Sequence, residues 1–142
     1  MSTARARNMY LANAVASAPP ERLLTMLFDA LVNNIAVAED AMDRNDYYTL
    51  NERLVRSQEI VLVLQGTLKA DVWSAGASLS AIYSYVYRLL VRGNVHKDPH
   101  ALRDARNLLE PLQKANHAAA DKVLAERAAA LNTDDLRVAA SA

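Results

Sequence analysis

Between Leu79 and Val91 the sequence is apolar on every side of a helix. At ~100° per residue, Leu79, Val86 and Leu90 share one face with Tyr83 beside them. Tyr85 and Leu89 fall well away from that face, and Val91 lies on a third side. A helix of this kind is stable only when it is covered all round. In a small domain the core covers one face. Either neighbouring helices enclose the remainder, or a partner does.

The rest of the chain reads as helix too. Only three glycines and four prolines punctuate the 142 residues, and each falls where a helix can begin or end. Pro20 suits a first turn, because its missing N–H would be unpaired there anyway. Leu24, Leu27, Phe28, Leu31, Ile35, Ala38 and Met42 follow at spacings of three or four, one buried stripe. Asn45 or Asp46 can cap the next helix, whose core face carries Leu50, Leu54, Ser57, Val61, Leu64 and Leu68. That helix also carries Tyr48, Val55 and Leu62 at intervals of seven, displaced by more than ~100° from the core face, with Ile60 and Val63 on yet another side.

Gly93-Asn94 is expected to end the third helix in a left-handed residue, and Asp98-Pro99 is a strong start signal for the fourth. From there Leu102, Ala105, Leu109, Leu112, Asn116, Ala119 and Val123 form a seam at alternating spacings of three and four. Pro111 points away from this seam and is expected to bend or break the helix. The pattern predicts an all-α, antiparallel four-helix bundle, with helices over 20–44, 47–69, 76–93 and from 99 onward. The fourth is either prolonged or broken into a fifth. By region, residues 1–16 read as a mobile N-terminal segment, 17–131 as the helical bundle domain and 132–142 as a disordered tail.

Composition closes off several functions. Sixteen basic and sixteen acidic side chains leave no net charge and no basic run, which argues against nucleic acid as ligand. There is no cysteine, so thiol catalysis and thiolate metal sites are excluded. His96, His100 and His117 have no Glu-x-x-His partner, and Glu39, Asp40, Asp43 and Asp46 read as a solvated helix end. No catalytic residue, metal site or cofactor is assigned. No run approaches the ~18 apolar residues of a membrane span. Arg5, Arg7 and the apolar stretch from Met9 to Val15 imitate a secretory signal. The stretch is nevertheless of minimum length, holds Asn13 and is followed by Pro19 at the would-be cleavage point, so the chain is read as cytoplasmic. The surplus apolar surface points to a partner groove, with Val55, Ile60, Leu62, Val63, Tyr85, Tyr87 and Leu89 as candidate contacts.

Three segments resemble a known family, the FliS-type flagellar export chaperones. The first is Tyr10, Val15 and Pro20-Glu21 with Leu24 and Met26-Leu27-Phe28-Asp29. The second runs from Asn51 to Ile60. The third, and most specific, is Ile82 to Leu90 with Asn94, Lys97 and Asp98. Pro19, Arg22, Ser84 and Leu89 depart from the family pattern, as do Trp73, Pro111 and Asn116. The resemblance implies a cytoplasmic chaperone that binds the disordered C-terminal segment of flagellin, prevents premature polymerisation and delivers it to the export gate. It further implies that Tyr10, Leu11 and Val15 cap the groove or dock at the gate. An adaptor or regulator holding an amphipathic helix of another flagellar or secretion protein would show the same stripes. A homodimer of the free protein is left open.

Overall fold

The computed structural model describes residues 5–6, 20–68 and 74–141. Four long helices occupy them: α1 (Pro20–Asp43), α2 (Tyr47–Gly66), α3 (Ser74–Val95) and α4 (Pro99–Ser141). No strand occurs among the described residues.

The helix boundaries have local causes. Asn45 leaves α1 with a φ of 57°, a conformation asparagine tolerates better than most side chains. Asp46 then caps α2: its carboxylate accepts from the Thr49 N–H at 3.2 Å and the Thr49 hydroxyl at 2.7 Å. These contacts hold the Asp46 pKa below the ordinary carboxylate range, chiefly through the Thr49 side chain. Asp98 caps α4 by accepting from the His100 N–H at 3.0 Å. Burial raises the Asp98 pKa, but Arg92 and the N–H groups of His100 and Ala101 together outweigh it, and the net shift is downward.

One expected boundary is corrected. Helix α3 does not stop at Gly93-Asn94 but runs on to Val95, and the left-handed residue is Lys97, with φ 52°. Gly93 is needed for packing instead, because a Cβ there would run into the Leu102 side chain. Of the two alternatives for the fourth helix the prolonged one is found: α4 passes through Pro111 and runs to Ser141. Pro111 is exposed, so its ring faces away from the packed side, and no glycine or further proline follows it.

Contacts divide the chain into two compact units. The larger, residues 27–113, is the helical bundle. Its core takes Phe28, Leu31 and Ile35 from α1, Leu50, Leu54, Val61 and Leu64 from α2, Tyr83, Val86 and Leu90 from α3, and Leu102, Ala105 and Leu109 from α4. Polar pairs fix the antiparallel order. Gln65 bonds Ser84 while Asn94 bonds Asn51, and Gln113 bonds Asp29 while Arg106 bonds Glu39. The smaller unit joins the start of α1, up to Met26, to α4 from Lys114 onward. There Thr25 donates to Asn116 at 2.9 Å, Arg22 pairs with Asp121 at 3.1 Å, and Arg127 grips both oxygens of Glu21. The Arg127 hydrogen bond is the main cause of a lowered Glu21 pKa. Asn116, the polar position in the apolar seam, thus accepts from the buried Thr25 hydroxyl, which also lies 3.4 Å from the Glu21 carbonyl.

Candidate functional site

The surplus apolar residues of α2 and α3 are where a ligand surface has to be sought. Val55, Leu62 and Val63 on α2 are 40%, 53% and 52% exposed, and Tyr85 on α3 is 45% exposed. Ile60 and Tyr87 are half-buried. Leu89 is buried, 8% exposed, and contributes to the core. A packed helix face is broader than the line joining Leu79, Val86 and Leu90, and Leu89 falls within its margin.

Helical spacing sorts these residues by neighbour. Tyr87 lies three residues after Ser84 and seven before Asn94, both of which bond α2, so Tyr87 faces α2. Val55 and Leu62 flank the positions on α2 that bond α3, Asn51 and Gln65, and with Tyr48, 79% exposed, they form an outward lip of that seam. Ile60 lies seven residues after Arg53, whose Nη1 donates to Asn34 on α1 at 3.0 Å, so Ile60 faces α1. Tyr85 occupies the side of α3 away from α2, with the Arg88 guanidinium 5.8 Å from its ring centre. The candidates therefore do not converge on one point. Val55, Leu62 and Tyr87 share the α2–α3 edge, while Val63, Ile60 and Tyr85 stand on other sides. Tyr10, Leu11 and Val15 lie outside the described residues.

A concavity of about 660 Å³ lies along α3, its described lining drawn from Tyr85, Tyr87, Leu89, Val91 and Val95 together with Arg88, Arg92 and His96. The basic members, Val91 and Val95 are not among the candidate contacts read from the sequence. Arg88, Arg92 and His96 recur every four residues, a one-sided stripe that the search for apolar periodicity passed over. Apolar walls with cations along one rim suit an amphipathic peptide rather than bond-making chemistry. Among the described residues no group of three or more His, Asp or Glu is placed to hold a metal, and no helix is long and apolar enough to cross a membrane.

A family model described as flagellar protein FliS matches residues 2–123. The chain belongs to the FliS family. It is similar to the flagellar secretion chaperone FliS of Bacillus subtilis (strain 168), with 31% identity over 106 residues, 75% of this chain and 79% of that protein. It is also similar to the flagellar secretion chaperone FliS of Salmonella typhimurium (strain LT2), with 27% identity over 108 residues, 72% of this chain and 78% of that protein. FliS is a chaperone family, not an enzyme family. Both the α2 lip and the α3 concavity fall inside the matched span, whereas α4 beyond residue 123 falls outside it.

Proposed function

We propose that this FliS-family protein is a cytoplasmic export chaperone that holds the C-terminal segment of flagellin and hands it to the flagellar export gate. The observation that carries the reading is the outward lip of Tyr48, Val55 and Leu62, an apolar stripe at intervals of seven on a helix whose core face is already satisfied. A stripe of that period fits an amphipathic helix laid alongside it. Each leucine-sized anchor offers roughly 1.5–3 kcal/mol on burial, and ordering a disordered segment costs at least ~2–5 kcal/mol. One anchor is not enough, so the contact has to be extended. Apolar surface distributed over α2 and the α3 concavity supplies the several anchors required.

On this reading the chaperone acts by occupying the segment that flagellin needs for polymerisation. No bond is made or broken, and no nucleotide enters. Tyr10, Leu11 and Val15 are assigned to covering the client groove when it is empty and to contact with the export gate. The test is binding of the purified chain to flagellin, intact and C-terminally truncated. Binding to intact flagellin alone is expected. Equal binding to both forms, or capture of another flagellar or secretion protein in place of flagellin, would replace this reading with the adaptor one.

A further inference from the structure

Leu131 and Val138 on α4 are 61% and 69% exposed, although they continue a face that is packed about two to three turns before Leu131. Ala120 on that helix is buried and Leu124 half-buried. Leu124, Leu131 and Val138 then follow at intervals of seven, within ~40° of Ala120 around the axis. This stripe lies beyond residue 123, where the match to the family ends. An unpacked helical extension of this length is marginal in water on propensity alone, and an amphipathic face gains its stability by packing.

We propose that residues 124–141 pair antiparallel with the same segment of a second copy of this chain, centred on Leu131. Charge placement selects both the occupant and the orientation. Arg127 and Asp134 are seven residues apart and lie on the same flank of the stripe. Paired in parallel, Arg127 would meet Arg127 of the partner subunit and Asp134 would meet Asp134 of the partner subunit. Paired antiparallel about Leu131, Leu124 faces Val138 of the partner subunit and Arg127 comes beside Asp134 of the partner subunit. Two-fold symmetry makes each of these contacts twice. Arg127 already donates through Nη1 and Nη2 to Glu21, but a guanidinium carries five N–H groups, and donors remain for a second carboxylate.

Sedimentation of the full chain over a concentration series tests the pairing. The weight-average mass should rise from 15.6 kDa towards twice that value. The Leu131→Glu/Val138→Glu variant should stay at the monomer mass and remain folded, with a melting temperature that no longer rises with protein concentration. Because the chain has no cysteine, orientation can be read by cross-linking. Leu124→Cys protein mixed with Val138→Cys protein should form a disulfide-linked pair, and neither should link to itself. Monomer mass at every concentration overturns the proposal, as does a doubled mass that survives the two glutamates. Self-linking of Leu124→Cys alone would overturn the antiparallel order. A monomeric parent whose melting falls with Leu131→Glu would show that the stripe is covered by the chain's own residues.

Discussion

Leu102 on α4 packs directly against the α-carbon of Gly93 on α3, where no Cβ would fit. Leu102 is fully buried, so it cannot swing into solvent to make room. Replacing Gly93 by Ala gains up to ~1 kcal/mol of helix propensity but forces an overpacking cost of about 1–3 kcal/mol. The second effect wins, and Gly93→Ala should lower the melting temperature. Gly66, the last residue of α2, has nothing within 4 Å of a built Cβ, so Gly66→Ala should leave stability unchanged or raise it. Thermal unfolding of the two variants side by side checks the contrast, and equal shifts would mean that Leu102 yields freely.

The Arg53–Asn34 bond joins α2 to α1 at 3.0 Å, and Asn34 is buried. The Arg53 Nε is also buried, with no acceptor. Among the described residues Asn34 is the side-chain acceptor that holds Arg53, and Asn34→Ala would remove it. Hydrogen bonds to charged groups contribute about 1.5–3 kcal/mol, and partial exposure of Arg53 puts the loss at the low end of that range. Arg53→Met leaves the Oδ1 of the buried Asn34 without this donor, whereas Asn34→Ala leaves a partly exposed guanidinium that water can reach, so Arg53→Met should cost at least as much as Asn34→Ala in denaturant unfolding. The reverse order would show that the orphaned guanidinium is sealed from water.

The regular parts of this fold were legible because they rest on period alone. The α1 stripe through Leu31 and Ile35 and the α2 face through Leu54 and Val61 are buried where their spacing put them. Leu89 was not legible, since spacing gives the centre of a packed face and not its width. Gly93 was misread for a related reason: a glycine near a helix end signals a left-handed turn or a close approach, and only the position of Leu102 distinguishes them. Within the candidate site, the exposure of Val55, Leu62, Val63 and Tyr85 could be read from surplus apolar residues. Their separation onto different sides could not, because it depends on which positions of α2 and α3 face each other.

Acid should weaken the caps. The Asp46 and Asp98 carboxyls are both held below their usual pKa, so the unfolded chain binds more protons than the folded one in the acid range. Stability from these groups is fully present above an unperturbed aspartate pKa of about 3.9 and is lost as pH falls through their folded values. Asp46→Asn keeps a capping oxygen but does not titrate there. The melting temperature of the variant should therefore vary less steeply below pH ~4 than that of the parent. Parallel curves would mean that Asp46 titrates alike in both states.

At the α2–α3 edge, Leu62 is exposed and Tyr87 half-buried. Substituting both by Ser removes two anchors of roughly 1.5–3 kcal/mol each from any bound helix, while the free protein loses mainly the buried part of Tyr87. Flagellin binding measured by calorimetry should weaken by more than tenfold, with a smaller effect on melting. A folded variant that binds as tightly as the parent would move the client surface away from this edge, towards Tyr85 and the basic rim of Arg88 and Arg92.

Residues 1–16 precede α1 and carry Tyr10, Leu11 and Val15. If these side chains cover the client groove when it is empty, a client has to displace them, and its apparent affinity is reduced by the covered fraction. Deleting residues 1–16 should then tighten flagellin binding, with the gain appearing in the association step. The bared apolar surface should also make the free protein more prone to aggregate. That aggregation is separable from pairing through α4, because the Leu131→Glu/Val138→Glu substitutions would not suppress it. A deleted protein that stays folded but no longer binds flagellin would assign Tyr10, Leu11 and Val15 to the client site itself.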